Sequence, residues 1–284
     1  MATFKLGCHQ ITWGRNLDGA LQDISDFGYK GTETFAFVVD DFAGRGDELT
    51  EKMNSKGLQL TALYGGGDMH VAGKEAEVIE YNLKIARFLQ SVGADRLVLG
   101  PGRGRPDPRP TDEHIKTMAR VAEEIGKACL DMGIIAGIHP HWGTPVQERE
   151  DITRIFDVVD TTVVKMVLDP AHIAKAGADP LEVVQTYKDI ITYVHIKDYS
   201  PELDTPEHKQ AIGQDNAPSL AFFSELGRGN VDTPGFVDEL RKADYDGWLT
   251  IELDRSQTTP RESLAENTKY LQEVMGWDIG GENH

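Results

Sequence analysis

The sequence predicts a single (β/α)8 barrel that spans residues 1–284, and three observations support this fold class. Short apolar runs rich in β-branched residues alternate with longer segments of helical periodicity. Eight such units follow one another with no linker or low-complexity segment between them. A length of 284 residues with 39% hydrophobic content is sufficient for one large core. The alternative, an open doubly wound sheet, is disfavoured because no G-x-G-x-x-G pattern follows the first strand.

Each predicted strand is a short apolar run of the kind that is buried in a parallel sheet. The eight strands are Phe4–Cys8, Gly31–Thr34, Gln59–Leu63, Arg96–Leu99, Ile134–Ile138, Val164–Leu168, Ile191–Ile196 and Trp248–Leu253.

The predicted helices are defined by apolar stripes and by their starting residues. Glu75–Val92 and Asp112–Met132 each place apolar residues every three or four positions, as an amphipathic helix requires. Three later helices are predicted to begin at Asp179-Pro180, Thr233-Pro234 and Thr259-Pro260. In each pair the first residue is the expected N-cap, and proline suits the first helical position because it has no N–H.

One stretch, Tyr199–Asn230, interrupts this alternation between the seventh strand and the following helix. Residues 199–230 are rich in Pro, Gly, Asp and Gln. A connection of this length in a compact domain is usually functional or mobile. We therefore expect this loop to cover the mouth of the barrel or to meet a neighbouring subunit.

Charge and composition exclude several classes of partner. The net charge of −18 opposes binding to nucleic acid and to anionic membrane surfaces. Two cysteines, Cys8 and Cys129, are too few for a disulfide framework and indicate a reducing compartment. The N-terminus has no apolar leader and no long apolar segment occurs, so we expect a cytoplasmic protein. Its partner would be a small molecule, with a homo-oligomer or a second subunit left open.

Side chains that bind metals or transfer protons follow the later strands. The chemistry of such barrels lies at the C-terminal ends of the strands. The residues there are His139 and His141 after strand 5, Asp169 and His172 after strand 6, His195, Lys197 and Asp198 after strand 7, and Glu252 and Asp254 after strand 8. The earlier strands contribute His9, Gln10 and Trp13, then Glu33 and Phe35, and then Tyr64. A lone histidine would more often be a hydrogen-bonded surface residue, and Asp169 alone could cap a turn.

Four consecutive strands with imidazole or carboxylate groups at one rim favour a divalent metal site over these simpler explanations. Mixed His/Asp/Glu sites suit Mn²⁺ or Co²⁺, with Zn²⁺, Fe²⁺ and Mg²⁺ as alternatives. Trp13 and Trp142 fit either stacking on a sugar face or packing at the barrel mouth. The glycine-rich stretches YGGGD and GPGRGRPDP lack the spacing of a phosphate-binding loop and are expected to be flexible rim loops.

Several stretches together resemble a known family. They are HPHWGTPVQ after strand 5, LDPAHIAKAG after strand 6, VHIKD after strand 7, GRGNVDTPGFVDEL before the next helix, and YDGWLTIELD at strand 8, with weaker similarity at KLGCHQITWG. With them the chain resembles the xylose isomerase-like TIM barrels, the sugar isomerase/epimerase superfamily. The HPH-W-G-T-x-V-Q piece is most similar to the inosose (2-keto-myo-inositol) dehydratase branch.

The resemblance implies a divalent metal held by Asp169, His195, Glu252 and a strand-5 residue. In the epimerases and isomerases of the family the strand-5 residue is a glutamate, and here the matching position is His139, our first choice over His141. His172 matches a histidine that contacts substrate oxygens. His9, Trp13, Tyr64 and Trp142 are the other expected substrate-binding residues.

The replaced glutamate implies a change of chemistry. Epimerases of this family use two opposed carboxylates, whereas a dehydratase needs a metal that polarises a ketone, one base for the α-proton, and one acid for the β-hydroxyl. The resemblance therefore implies a lyase acting on a keto-polyol or keto-sugar. Its candidate bases are Glu252 and His172, and its candidate acids are His141 and Lys197.

Other functions remain open at this level. One is a sugar isomerase or epimerase that works with a single base, and another is a subunit of a keto-glycoside (C-glycoside) lyase. A DNA-repair endonuclease is opposed by the charge of −18 and by the small set of histidines. A non-catalytic sugar-binding barrel or a subunit of a larger complex is the last alternative.

Overall fold

The computed structural model describes residues 4–211 and 222–280, and these form a closed barrel of eight parallel strands surrounded by helices. The barrel strands are β1 (Lys5–His9), β2 (Gly31–Phe35), β3 (Gln59–Gly66), β4 (Arg96–Gly100), β5 (Ile135–Ile138), β6 (Val164–Leu168), β7 (Ile191–Ile196) and β10 (Trp248–Ile251). Two short strands, β8 (Asp198–Tyr199) and β9 (Phe223–Ser224), pair antiparallel outside the barrel. The (β/α)8 prediction is confirmed.

Helices connect successive strands. They are α1 (Leu17–Asp26), α2 (Phe37–Asp41), α3 (Gly46–Asn54), α4 (Glu75–Val92), α5 (Asp112–Asp131), α6 (Arg149–Phe156), α7 (Pro170–Lys175), α8 (Pro180–Tyr187), α9 (Pro206–Ala211), α10 (Thr233–Lys242) and α11 (Pro260–Glu273). Within residues 4–211 and 222–280, no helix is long and apolar enough to cross a membrane.

The strands lie where the sequence predicts them, and the differences are at their ends. β3 continues past Leu63 to Gly66, and β10 ends at Ile251 instead of Leu253. Gly66 has a φ of +90°, and a Cβ there would lie 2.1 Å from the carbonyl oxygen of Gly100 on β4. The YGGGD stretch is therefore partly a strand, in which glycine permits a close approach of two backbones.

Two of the three predicted proline-containing helix starts are confirmed, and the third is wrong by one residue. Asp179 and Thr259 are N-caps whose side chains accept backbone N–H groups of α8 and α11. At α10 the cap is Asp232, whose side chain accepts from Gly235 N, while Thr233 is already helical. Both Asp and Thr are good caps, so the sequence alone did not distinguish these neighbours.

The interior of the barrel is packed and partly polar. Tyr193 is completely buried there, and its hydroxyl lies 2.7 Å from Thr61 Oγ1 and 2.6 Å from Thr250 Oγ1. Val98 and Val167 complete the layer around this tyrosine. The satisfied hydroxyl lets an aromatic ring fill the barrel without an unpaired polar group, and it gives the rim above a rigid base.

The long loop between β7 and α10 is more regular than the sequence indicates. Its two ends pair as β8 and β9, and α9 lies between them. The Asp198 carboxylate accepts backbone N–H groups of Tyr199, Gly227, Gly229 and Val231 at 2.8–3.0 Å, which anchors the returning chain beside β7. Residues 212–221 of the predicted loop lie outside the described residues.

Candidate metal centre and active site

Four strand-end side chains meet at the C-terminal mouth of the barrel. His139 follows β5, Asp169 follows β6, His195 lies in β7 and Glu252 follows β10, and these strands are neighbours in the barrel. Ligand atoms of His139, Asp169 and His195 lie within 4.8 Å of one another, and Glu252 Oε2 lies 2.8 Å from His195 Nδ1. All four side chains are buried. The structure thus brings together the four residues predicted as metal ligands.

Three buried polar atoms in this cluster, Asp169 Oδ2, His195 Nδ1 and Glu252 Oε2, have no hydrogen-bond partner outside the centre and contact one another and Lys197, at 2.8–3.9 Å. Leaving such groups unpaired away from water costs free energy comparable to several lost hydrogen bonds. A cation bound by these atoms would satisfy them together. Two carboxylate oxygens and imidazole nitrogens are a donor set that divalent transition metals accept, so the residues present fit such an ion.

The charge of the buried cluster supports the same fit. The four buried carboxylates around it belong to Glu33, Asp169, Glu252 and Asp254. Among the described residues at the centre they face one ammonium group, that of Lys197. Buried charges of one sign are unfavourable unless they are paired. A divalent cation would offset most of the remaining negative charge.

Asp169 has two roles that divide its carboxylate. Its Oδ1 accepts the backbone N–H groups of Ala171 and His172, at 2.8 and 3.2 Å, and so caps α7. Its Oδ2 points into the cluster, 3.9 Å from His195 Nδ1. The simpler explanation, that Asp169 caps a turn, is thus correct but incomplete, because capping fixes the other oxygen toward the centre.

Glu33 orients His195 from the side opposite the cluster. Glu33 Oε2 lies 2.7 Å from His195 Nε2, deep in the barrel where both side chains are completely buried. A carboxylate at Nε2 keeps a proton there, so Nδ1 is the nitrogen that would bind a metal once its own proton is displaced. Burial lowers the pKa of His195, but the Glu252 and Glu33 carboxylates outweigh burial and raise this pKa well above its ordinary value.

Lys197 lies beside the cluster and contacts a different edge of it. Its Nζ is 2.8 Å from Asp254 Oδ2, 3.1 Å from Glu252 Oε1 and 3.4 Å from Asp169 Oδ2. Glu252 therefore directs Oε2 to His195 and Oε1 to the lysine. Burial lowers the pKa of Lys197, but the carboxylates of Asp254, Glu252 and Asp169 raise it well above its usual value, so the ammonium is charged.

Three imidazoles form the other side of the centre. The rings of His141 and His172 lie 3.6 Å apart at 34°, and both lie 5.5–5.6 Å from the ring of His139. Burial is the main cause that lowers the pKa of each ring, His139 and His172 most strongly. Neutral imidazoles can bind a metal or accept a proton.

Geometry favours His139 over His141 as the strand-5 ligand. His139 belongs both to the histidine group and to the group with Asp169 and His195, whereas His141 belongs only to the first. The Nδ1 of His139 lies 3.4 Å from the carbonyl oxygen of Val167, while the Nδ1 of His141 lies 2.7 Å from that of Trp142. The choice of His139 stays a prediction.

His172 has a donor at each ring nitrogen. Trp142 N–H points to Nδ1 and Lys197 Nζ lies beside Nε2, both at 3.3 Å. A neutral imidazole accepts at one nitrogen only, so these two contacts compete for its lone pair.

Two predicted substrate-binding residues lie next to the centre. The Tyr64 ring meets His139 edge to face at 6.0 Å, and burial raises the pKa of its hydroxyl. Trp142 is half-buried above His172 and packs edge to face on Phe222 at 5.1 Å. Trp142 therefore packs at the mouth of the barrel next to the histidines, and its stacking on a sugar face stays a prediction.

The other two predicted substrate-binding residues are placed differently. His9 is buried below the centre, where its Nδ1 accepts the backbone N–H of Ile11 and its Nε2 lies 3.6 Å from Glu33 Oε1. Trp13 donates its indole N–H to Asp23 of α1 at 2.9 Å and lines a small crevice toward α11. Within the described residues, Trp13 is not brought to the metal cluster, because this hydrogen bond directs its ring outward.

The returning half of the long loop forms a wall of the centre. Phe223 is buried with its ring 4.6 Å from that of His172, and Lys197 Nζ lies 4.7 Å above it. Phe222 contacts Trp142, and Lys175 lies over both rings at 4.9 Å. The described part of the loop thus packs against the mouth of the barrel, and the expectation that the whole loop covers the mouth or meets a neighbouring subunit stays a prediction.

A cavity of about 600 Å³ opens beside the centre, at the ends of β2, β3 and β4. Tyr64 and His141 lie between this cavity and the buried cluster, since both line the cavity and both contact His139. A substrate in the cavity can therefore approach the centre from this side.

Sequence reasoning gave no role to Glu33, Asp254, Phe222 or Phe223, although it noted Glu33 and Asp254 as strand-end residues. A carboxylate inside an apolar strand is an available signal, because such a residue requires a buried partner. The two phenylalanines carry no comparable signal, since their position depends on how the long loop returns.

Comparisons with known proteins agree with this architecture. Residues 21–274 match the family model described as xylose isomerase-like TIM barrel. An inosose dehydratase of Lacticaseibacillus casei is 24% identical over 296 residues, which cover 96% of this chain and 98% of that protein.

Three solved structures share the fold. The probable 3-DHS dehydratase AsbF of Bacillus anthracis has a TM-score of 0.78 at 17% identity and covers 95% of this chain and 99% of its own. The IolI protein with a binding zinc atom has a TM-score of 0.78 at 20% identity, covering 96% and 98%. A D-tagatose 3-epimerase-like protein has a TM-score of 0.76 at 16% identity, covering 96% and 97%.

The family model covers most of the chain, and the closed eight-stranded barrel with its rim of histidines and carboxylates is consistent with it. The chain belongs to the xylose isomerase-like TIM barrel family.

Proposed function

We propose that the protein is a metal-dependent lyase that removes an α-proton from a keto-polyol or keto-sugar and expels a β-hydroxyl group, in the manner of an inosose dehydratase. The chain is an enzyme, and relatives named inosose dehydratase align over nearly its whole length. The observation that carries the proposal is the asymmetry of the centre. Asp169 and Glu252 form one side, and the three imidazoles of His139, His141 and His172 form the other.

This asymmetry distinguishes elimination from epimerisation. Moving a proton from one face of a carbon to the other requires a base on each face, and two opposed carboxylates serve this purpose. Elimination requires one base and one acid. A neutral imidazole at His139 is suited to bind a metal but lacks the charge of the glutamate found there in epimerases of the family.

The proposed metal ligands are His139, Asp169, His195 and Glu252, and the bound ion would supply Lewis acidity toward the ketone oxygen. Mn²⁺ and Co²⁺ are our first candidates, with Zn²⁺, Fe²⁺ and Mg²⁺ as alternatives. Zinc has support from the fold relative whose structure holds a zinc atom.

The chain's own groups can move both protons. Burial raises the pKa of Glu252, but His195 and Lys197 hold this pKa well below its ordinary value, so the carboxylate is ionised and able to accept a proton. His172, kept neutral by burial, is the other candidate base. Lys197, charged and in contact with His172, and His141 are the candidate acids for the departing oxygen.

The bonds balance without an oxidant or reductant. The α C–H bond breaks and its proton goes to the base, its electrons form the carbon–carbon double bond, and the β C–O bond breaks as the acid protonates the oxygen. With a hydroxyl as leaving group the products are water and an enone or its diketo tautomer. For 2-keto-inositol this reaction would belong to carbohydrate and inositol metabolism.

A sugar epimerase or isomerase is the second candidate, supported by the D-tagatose 3-epimerase-like structure of the same fold. The deciding experiment incubates the metal-loaded protein with 2-keto-inositol and follows enone absorbance and product mass. Loss of one water supports the lyase. An isomer of unchanged mass supports the epimerase and contradicts the proposal.

A further inference from the structure

The cavity beside the metal centre extends well away from it. Its lining runs from Tyr64 and His141 along the ends of β2, β3 and β4 to Tyr81 on α4. A volume of about 600 Å³ lies within the range, roughly 300–1,000 Å³, of sites that enclose drug-sized ligands, which are larger than a single-ring keto-polyol. Part of the cavity therefore lies beyond the reach of the ring that contacts the centre.

One wall of this outer part is aromatic. Phe35, Phe37, Tyr64 and Tyr81 all line it. Phe35 and Tyr64 meet edge to face at 5.6 Å, and Tyr64 meets His139 at 6.0 Å, so the aromatic wall is continuous with the metal centre. Tyr81 is 46% exposed, so its ring is accessible from the cavity and from solvent.

Another part of the lining is backbone. Gly65, Gly66, Gly67, Gly100 and Gly102 line the cavity. A Cβ on Gly100 would lie 2.5 Å from the Tyr64 hydroxyl oxygen, so glycine there is required to seat the tyrosine. Tyr64 therefore packs directly on the Gly100 backbone.

The charges around the cavity balance. Two acidic and two basic side chains line it, which are Asp68, Lys74, Glu77 and Arg103. Lys74 and Glu77 form an ion pair of 2.9 Å. A phosphate group would need an excess of positive charge or a row of free N–H groups at a helix start, and here the lining favours an uncharged ligand.

We propose that the outer part of this cavity is a subsite for an uncharged substituent with a flat apolar face, attached to the keto-sugar ring that occupies the metal centre. The inference rests on the proposed function and specifies its substrate class as a substituted keto-sugar. An aryl group and the CH face of a second sugar ring share this chemistry, since both pack on aromatic side chains. Elimination would proceed as described above whether the substituent or a hydroxyl departs.

Binding can be measured without turnover. Glucosides that carry a hydroxyl in place of the ketone have no acidic α-proton and do not undergo elimination. Dissociation constants of phenyl glucoside, cellobiose and methyl glucoside are therefore measured by calorimetry on the metal-loaded protein. A phenyl ligand should bind about three- to tenfold more tightly than the methyl ligand, the range expected of one aromatic contact, and cellobiose shows whether a second sugar ring shares the preference.

Variants at Tyr81 test the location. Tyr81→Ala should bring the phenyl-to-methyl affinity ratio close to one, while Tyr81→Phe, which keeps the ring, should preserve it. Leu130→Ala on α5, at a side chain 43% exposed and outside the cavity, is the surface control. Equal affinities for all three ligands, no binding by any of them, or an unchanged ratio in Tyr81→Ala would each overturn the proposal. A normal phenyl preference in a protein that eliminates nothing from any keto-polyol would overturn the lyase function and leave the subsite standing.

Discussion

Glu33 Oε2 lies 2.7 Å from His195 Nε2, and both side chains are completely buried in the barrel. This contact joins β2 to β7 across the barrel interior and fixes which nitrogen of His195 faces the cluster. The carboxylate cannot be explained by the packing of β2 alone, since an ionised group in such a place needs a partner. Glu33 is therefore best understood as a positioning residue of the metal centre.

Replacing Glu33 should weaken metal binding without removing a ligand. We expect Glu33→Ala to lower the affinity for a divalent metal about 10- to 100-fold, the usual effect of losing a second-shell partner. Glu33→Gln keeps an oxygen that can accept from Nε2–H and should retain most of the affinity. Metal titration of both variants measures the difference. Equal and large losses in both would mean that the negative charge, and not the hydrogen bond, is what Glu33 supplies.

Asp169 offers a test that separates metal binding from helix capping. Asparagine is also a good N-cap, so Asp169→Asn should leave α7 intact while lowering metal affinity by more than the roughly 100-fold upper range of a second-shell change. Asp179 caps α8 through the same kind of contact, outside the centre. Asp179→Asn is thus the matched control and should keep full metal content. Full metal occupancy in Asp169→Asn would contradict the proposed ligand set.

Much of this centre follows from the sequence because parallel barrels place every strand end at one rim. Strand positions alone placed His139, Asp169, His195 and Glu252 in a larger group at one rim, and the resemblance to the family selected these four as ligands. The contacts of Glu33 and Phe223 could not be predicted, since they depend on packing across the barrel and on the path of the loop that returns at β9. Trp13 differs in the other direction, since the sequence placed it at the centre and the structure does not. A local hydrogen bond to Asp23 turns its ring away from the cluster.

Lys175 should control how firmly the long loop lies on the barrel. Its Nζ pairs with Asp204 of the loop and lies within 4.9–5.3 Å of the rings of Trp142, Tyr199 and Phe222. Lys175→Met keeps the apolar stem but removes the charge. Cation–π contacts contribute about 0.5–2 kcal/mol, so the loop should open roughly 2- to 30-fold more often.

Amide hydrogen exchange in residues 199–211 measures this opening. Lys242→Met, which removes an exposed ion pair with Glu239 on α10, is the control and should leave exchange in the loop unchanged. If Lys175→Met exchanges like the wild-type protein, Lys175 does not hold the loop.

Acid should destabilise the metal-free protein over a defined range of pH. Burial lowers the pKa of His9, His139, His141 and His172, so each folded-state pKa lies below the unfolded value of about 6.5. The stabilisation of the folded state by these four neutral rings is present above pH about 6.5. It is lost as the pH falls below this value, because the unfolded state then gains protons that the folded state does not bind. His195 acts in a different range, because its raised pKa gives a stabilisation that is fully present below pH about 6.5 and is lost as the pH rises through the folded-state pKa.

Below pH about 6.5 His195 is protonated in both the folded and the unfolded state, so the four rings with lowered pKa determine a net loss of stability on acidification. The melting temperature of the metal-free protein should fall steadily below pH about 6.5. The shifts act in opposite directions on metal binding, because His139 stays neutral to lower pH whereas a metal must displace the proton that His195 holds at its raised pKa. A melting temperature that is constant from pH 7 to pH 5 would contradict this account.

The reaction type can be tested at His139, where the resemblance to the family implies that an imidazole replaces the carboxylate of the epimerases. In D₂O the wild-type protein should convert 2-keto-inositol to an unsaturated or diketo product. An epimerase would instead return the keto-polyol with deuterium at the inverted carbon. His139→Glu restores a carboxylate facing Glu252 across the centre, so we expect it to reduce elimination and to introduce exchange of the α-proton with solvent deuterium. His139→Gln, neutral and of similar size, should reduce elimination without adding exchange. Mass and NMR analysis of the recovered keto-polyol distinguishes these outcomes. If the wild-type protein itself returns only a deuterated epimer, the single-base account of the centre is wrong and the epimerase reading replaces it.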